Sequence, residues 1–228
     1  FTIVESARAR ATGYSFPSGH TQNAVGTFGG IAHLTRRRWL RVIAIAAAVL
    51  VPFSRMYLGV HTPLDVGVAA VTAVIFVFGF YPLTERSESR PALIGWLIAV
   101  MALLSAAYVL FVSLWHFPAD TDAANLASGV ENGWKLLGAT LGMLLAWWLD
   151  TRYIHFDTRA VWYVQLLKLV GGLVLLLAIR AVLKAPLAAL LGAQVGGAVR
   201  YGLMVLFAGA VWPMIFAPLC YALEKRVY

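Results

Sequence analysis

Cysteine is almost missing from this chain: Cys220 is the only one in 228 residues, so no disulfide framework holds the fold together. Charge is scarce too. Asp, Glu, Lys and Arg make up only 12% of the residues, against about 25% in ordinary soluble domains, which is too little to cover a water-soluble globule. Internal repeats, low-complexity tracts and clusters of His, Asp and Glu at metal-ligand spacing are all lacking. What is present is apolar, with 61% hydrophobic residues and a mean hydropathy of +0.79. That richness excludes disorder and leaves an all-α fold, a polytopic transmembrane helix bundle.

A net charge of +8 would point to nucleic acid in a soluble protein. Here the cations lie between apolar runs, the pattern that orients membrane proteins, and no nucleic-acid partner is expected. A span needs about 20 mainly apolar residues. About seven runs approach this: His20–Leu34, Trp39–Ser54, Pro63–Leu83, Pro91–Trp115, Trp134–Leu149, Trp162–Leu183 and Tyr201–Leu223. The first, second and fifth are short. Pro63 and Pro91 fall at first helical turns, where the missing N–H costs nothing. Gly29-Gly30, Gly171-Gly172 and Gly196-Gly197 are expected packing points between helices.

Seven spans force the connecting segments to alternate sides. One side then carries Arg36, Arg37, Arg38, Arg41, Arg86, Arg90, Arg152, Arg159, Lys225 and Arg226, ten in all. The other carries seven, Arg8, Arg10, Arg55, Lys135, Arg180, Lys184 and Arg200, with Lys168 inside a span. Its longest loop, His116–Gly133, holds Asp120, Asp122 and Glu131 and no cation. The richer side is expected to be cytoplasmic, which turns Phe1–Gly19 and Arg55–Thr62 outward and makes the plasma (cytoplasmic) membrane the expected location.

Two polar islands stand at the outward ends of spans, where ionisable groups are functional candidates. In Phe16–Thr21, Pro17 and Gly19 bracket Ser18 at a helix start, a place where free N–H groups favour an anion; Ser18 as a simple N-cap is the competing reading. In Ser54–Asp65, Arg55 offers a planar donor fork suited to phosphate oxygens. His61 follows six residues later and Asp65 four after that, a spacing that lets the carboxylate fix one ring nitrogen and free the other to attack. Thr62 and Asp65 as a capping box is the plainer alternative. Together the islands suggest phosphoryl transfer through a covalent histidine. His61 would be the nucleophile, His20 the acid and base, with Arg55, Ser18 and Gly19 holding the phosphate oxygens. The scheme requires no metal and no cofactor.

These residues resemble the type 2 phosphatidic acid phosphatase (PAP2) superfamily, whose second motif is PSGH and whose third is SR, five residues, H, three residues, D. Pro17-Ser18-Gly19-His20 matches the second without change, and Ser54-Arg55, His61 and Asp65 match the third. The resemblance covers about Gly13–Leu83. It implies that His61 is the phosphohistidine nucleophile, Asp65 its orienting partner, His20 the acid/base, and Arg55, Ser18 and Gly19 phosphate ligands. It implies metal-independent removal of phosphate from a lipid phosphate or polyprenyl diphosphate, with membrane lipids as surroundings. The expected division is a catalytic region, residues 1–90, and accessory transmembrane helices, residues 91–228, with the charged linker Thr84–Arg90 as boundary. The family's first motif, Lys, six residues, Arg-Pro, is absent. With no initiator Met at Phe1, a truncated N-terminus is expected, the motif lying upstream. Two other readings use the same residues: a phosphotransferase, or a non-catalytic membrane bundle with a relic phosphate pocket.

Overall fold

The computed structural model describes residues 16–157 and 160–224. Their regular structure is helical: α1 Gly19–Leu34, α2 Arg38–Tyr57, α3 Pro63–Ser89, α4 Ala92–Leu114, α5 Ala123–Leu149, α6 Trp162–Val182, α7 Lys184–Leu206 and α8 Trp212–Glu224. A π-helical turn, Asp150–Ile154, extends α5, and another, Phe207–Val211, carries α7 into α8. Five stretches are long and apolar enough to cross a membrane: Arg38–Tyr57, Pro63–Leu83, Ala92–Leu114, Trp162–Val182 and Lys184–Pro218. The runs expected at His20–Leu34 and Trp134–Leu149 fall outside that set. α1 has only 16 residues, and α5 carries Glu131, Asn132 and Lys135 in its first half.

Polar stretches expected to be loops are also helical in part. Thr84–Ser89 continues α3 as helix. In the His116–Gly133 segment, α5 already begins at Ala123, because the Asp122 carboxylate accepts the Asn125 N–H at 2.9 Å. A search for apolar runs passes over such a polar first turn. Lys184–Arg200 is helical on both sides of a break at Gly192. Arg8, Arg10, Arg159, Lys225 and Arg226 of the charge tally, and the part of the outward segment ahead of Phe16, lie outside the described residues.

The chain divides into two compact units, the residues up to Pro91 with Asp122–Leu126, and Ala92–Thr121 with the residues from Ala127 on. In the first, α1 packs on both α2 and α3. Its far end is closed by the Arg41 guanidinium, which donates to the carbonyls of Ala32 at 3.2 Å and Thr35 at 2.8 Å, acceptors that a helix end leaves open. The buried residues here are small: Thr21 and Ala24 of α1, Ala44 of α2, Val66, Ala69 and Ala73 of α3. Larger side chains such as Ile43, Phe53, Val71, Ile75 and Phe78 are exposed. That is the reverse of a soluble core and suits helices solvated by lipid, where close backbone approach replaces hydrophobic collapse as the source of packing energy.

The second unit uses the same device more strongly. α4 buries the stripe Gly95, Ile98, Ala102, Ser105 and Val109, with Gly95 against the Trp147 ring of α5. Backbone meets backbone where Gly138 and Gly142 of α5 lie on Ala198 and Gly202 of α7. Trp212 sets its ring in the notch of Gly171-Gly172 on α6, and its Nε1–H donates to the Lys168 carbonyl at 3.1 Å. Lys168 itself is held within the unit, its ammonium 4.5 Å from the centre of the Phe156 ring. Gly196 is a packing point as expected; Gly29 and Gly30 are not, having open space where a side chain would go.

Gly138→Ala should therefore force α5 and α7 apart and lower stability by about 1–3 kcal/mol, read as a lower Tm by circular dichroism in detergent. Gly26→Ala, where a new methyl meets nothing within 4 Å, should leave Tm unchanged or raise it slightly.

Candidate active site

The polar islands are built from three helix ends of the first unit. α2 carries Ser54 and Arg55 in its last turn and stops at Tyr57. The stop is made by Gly59, whose φ of +70° lies in the left-handed region open to glycine. The Leu58 and Gly59 N–H groups turn back onto the Ser54 and Met56 carbonyls, each at 3.0 Å, and Val60 N–H reaches the Arg55 carbonyl at 3.3 Å. This tight reversal brings His61 back toward the turn that bears Arg55. The Ser54 hydroxyl donates to the Val51 carbonyl at 2.7 Å and stands beside Arg55 Nε, at 3.5 Å. Arg55 has no ion-pair partner among the described residues.

α3 then starts with a complete capping box. The Asp65 N–H donates to Thr62 Oγ1 at 3.2 Å, the Thr62 N–H donates to Asp65 Oδ2 at 2.8 Å, and Pro63 occupies the first turn. The same Oδ2 lies 3.8 Å from His61 Nδ1. Nδ1 is enclosed and has no hydrogen-bond partner. The two readings of Asp65 thus coexist, since the carboxylate that closes the cap also stands within ionic reach of the ring. A shift of about 1 Å would turn that contact into a hydrogen bond.

α1 is tied to this start by one backbone bond, the Ser18 N–H donating to the Asp65 carbonyl at 3.2 Å. Ser18 is wholly buried, and its Oγ accepts from the Thr21 N–H at 3.4 Å and the Thr21 hydroxyl at 3.0 Å. Its N–H and Oγ are thus both engaged within the protein. Gly19 and His20, the next two residues, are exposed, and their N–H groups are among those a helix start does not use itself. A Cβ at Gly19 would meet nothing within 4 Å, so room is left there for an anion to approach the backbone.

His20 stands at the exposed first turn of α1. Desolvation, then the positive charges of Arg55 and His61, hold its pKa below that of a free imidazole. The two histidines and the arginine therefore share one electrostatic neighbourhood, although 41 positions separate His20 from His61. Among the described residues no three His, Cys, Asp or Glu side chains gather as metal ligands would. Sequence reasoning passed over Gly59 and Thr21. A glycine soon after an expected helix end, here five residues past Ser54 and two past the observed end at Tyr57, is a C-cap signal that could have found the first; the second carries no signal of its own.

A helical, lipid-suited scaffold with its chemistry-bearing side chains gathered at one set of helix ends defines a polytopic membrane protein with a polar site. Residues 2–89 match the PAP2 superfamily, and residues 134–225 match the PAP2 superfamily phosphatase, transmembrane extension. The two matches together cover more than half of the chain, which belongs to the PAP2 superfamily and is an integral membrane protein. Among curated proteins it is similar to an undecaprenyl-diphosphatase of Sulfolobus acidocaldarius, 47% identical over 57 residues, and to a lipid A 4'-phosphatase of Bacteroides thetaiotaomicron, 33% identical over 84 residues. The matches cover 25% and 35% of this chain, and 27% and 37% of those relatives. No solved structure matches it significantly.

Gly59→Ala should cost about 1 kcal/mol by placing a side chain in the left-handed region, seen as a lower Tm. In a histidine NMR titration of the free protein, the His20 ring should take up its proton below the pH at which a free imidazole does. Arg55→Gln removes a cation from beside it and should move that midpoint upward; an unmoved midpoint would mean that the two side chains are not neighbours.

Proposed function

We propose that this chain is an integral-membrane phosphatase that removes phosphate from a lipid phosphate or polyprenyl diphosphate through a phosphohistidine, at a site on the extracytoplasmic face. The observation that carries the reading is the bond from the Ser18 N–H to the Asp65 carbonyl, which seats the head of α1, with His20, on the head of α3, with His61 and Asp65. Both named relatives act on phosphorylated lipids, an undecaprenyl diphosphate and lipid A, and this supports the substrate class. The charge tally supports the outward orientation.

In the first step the Nε2 lone pair of His61 attacks phosphorus. An N–P bond forms, the P–O bond to the lipid or its remaining phosphate breaks, and protonated His20 gives its proton to the departing oxygen. Nδ1 faces Asp65 Oδ2, so the carboxylate selects the tautomer with Nε2 free and steadies the charge that builds on the ring. Arg55 and the first N–H groups of α1, from Gly19 and His20, stabilise the equatorial oxygens, while Ser18 positions them from below. In the second step His20, now neutral, takes a proton from water. The resulting hydroxide displaces His61 from phosphorus and releases inorganic phosphate.

His61→Ala should abolish phosphate release from a lipid phosphate in detergent micelles, while chelator should leave the wild-type rate unchanged. Undiminished turnover by the variant would end the covalent mechanism. Asp65→Asn keeps an oxygen for the Thr62 N–H but loses the charge beside His61. It should lower kcat at least about 100-fold with little change in Tm. A loss of Tm in step with activity would reduce Asp65 to a helix cap.

A further inference from the structure

The second unit gathers charge of its own. Glu131 and Lys135, one turn apart on α5, form an ion pair at 2.8 Å. The stem of Lys135 passes Gly197 of α7, whose Cβ position lies 3.7 Å from Lys135 Cγ. α7 is broken at Gly192, with φ 77° and ψ 166°, and doubles back so that Gly196 comes against the Leu187 carbonyl. Lys184 opens α7 on one side of that break and Arg200 lies on the other. Arg200 is buried, and its Nε–H has no hydrogen-bond partner; the guanidinium carbon lies 5.5 Å from the centre of the Tyr201 ring. The indole N–H of Trp134, the residue before Lys135, is a second enclosed donor without a partner.

The charges of this group act on one another. The Glu131 carboxyl is held below its ordinary pKa by the hydrogen bond from Lys135 and by the charges of Lys135, Arg200 and Lys184, against an opposing push from desolvation. One carboxylate faces three cations, and Lys184 and Arg200 form no ion pair among the described residues. A buried Arg200 whose Nε–H has no hydrogen-bond partner is costly, and in membrane proteins an ionisable residue so placed is a candidate binding position. The surplus of two positive charges matches the roughly −1.5 to −2 of a phosphate monoester. A planar guanidinium fork suits tetrahedral oxygens, and a broken helix is a recurrent setting for ion sites inside helical bundles.

We propose that Lys135, Lys184 and Arg200 form an anion site that takes a phosphate group, presented by an anionic lipid headgroup or as free inorganic phosphate. This site uses none of the His20, Arg55 and His61 side chains and does not depend on the activity proposed for them.

The test uses the full chain purified in neutral detergent, in a His61→Ala background so that lipid is not turned over. One arm titrates inorganic phosphate by calorimetry; the other measures retention of phosphatidic acid against phosphatidylcholine by native mass spectrometry. Lys184→Gln and Arg200→Gln should each weaken binding about tenfold in at least one arm, the loss expected for one charge-assisted hydrogen bond, and the arm affected names the source. Glu131→Gln should tighten binding in the same arm, because it frees Lys135, whereas a purely structural ion pair would loosen it. Lys184 is exposed, so its variant carries the test even if the Arg200 variant does not fold. Unchanged affinity of the Lys184 variant in both arms, equal retention of phosphatidylcholine, or weaker binding by the Glu131 variant would overturn the site.

Discussion

One backbone hydrogen bond, from Ser18 at the head of α1 to Asp65 at the head of α3, joins the two helix starts that carry the polar islands of the first unit. Its two ends belong to capped helix starts, so neither partner can drift without opening a cap. Ser18 is held by Thr21, and Asp65 by the reciprocal bonds with Thr62. A bond of ordinary strength thereby fixes the distance between two histidines remote in sequence. Burial keeps water from competing for it. Within the PSGH motif the serine is buried, while the glycine and histidine that follow are exposed.

Much of this was legible from the residues. Thr62-Pro63 followed by Asp65 announced a helix start, and the spacing from His61 to Asp65 announced that these side chains lie together, because both depend on local geometry that sequence separation controls. The part that was not legible is long-range. The Ser18 N–H meets the Asp65 carbonyl, and no spacing encodes a partner 47 residues away. Helix limits failed for a related reason. Residues 84–89 and the start of α5 are polar yet helical, since capping and backbone bonding decide helicity there rather than the apolar run that marks a span. Gly192 reads in sequence as one more small residue in a Gly- and Ala-rich stretch, and only its backbone angles reveal a reversal.

The two units show one rule of packing in lipid. Small residues meet at the interfaces, in the Thr21, Ala69 and Ala73 group of the first and in the Gly138, Gly142, Ala198 and Gly202 contacts of the second, while the bulky side chains face out. Where the second unit departs from tight small-residue contact, a ring fills the space, as Trp212 does over Gly171-Gly172.

The shortness of α1 sets the depth at which its first residues lie. Sixteen residues span about 24 Å, some 6 Å less than the hydrocarbon layer, and the far end is anchored by Arg41 beside a run of three further arginines that belong among headgroups. On the function proposed above, that shortfall would leave His20 beneath the opposite headgroups, where a phosphate on a membrane-embedded tail reaches it from the side and one from the water must first shed hydration.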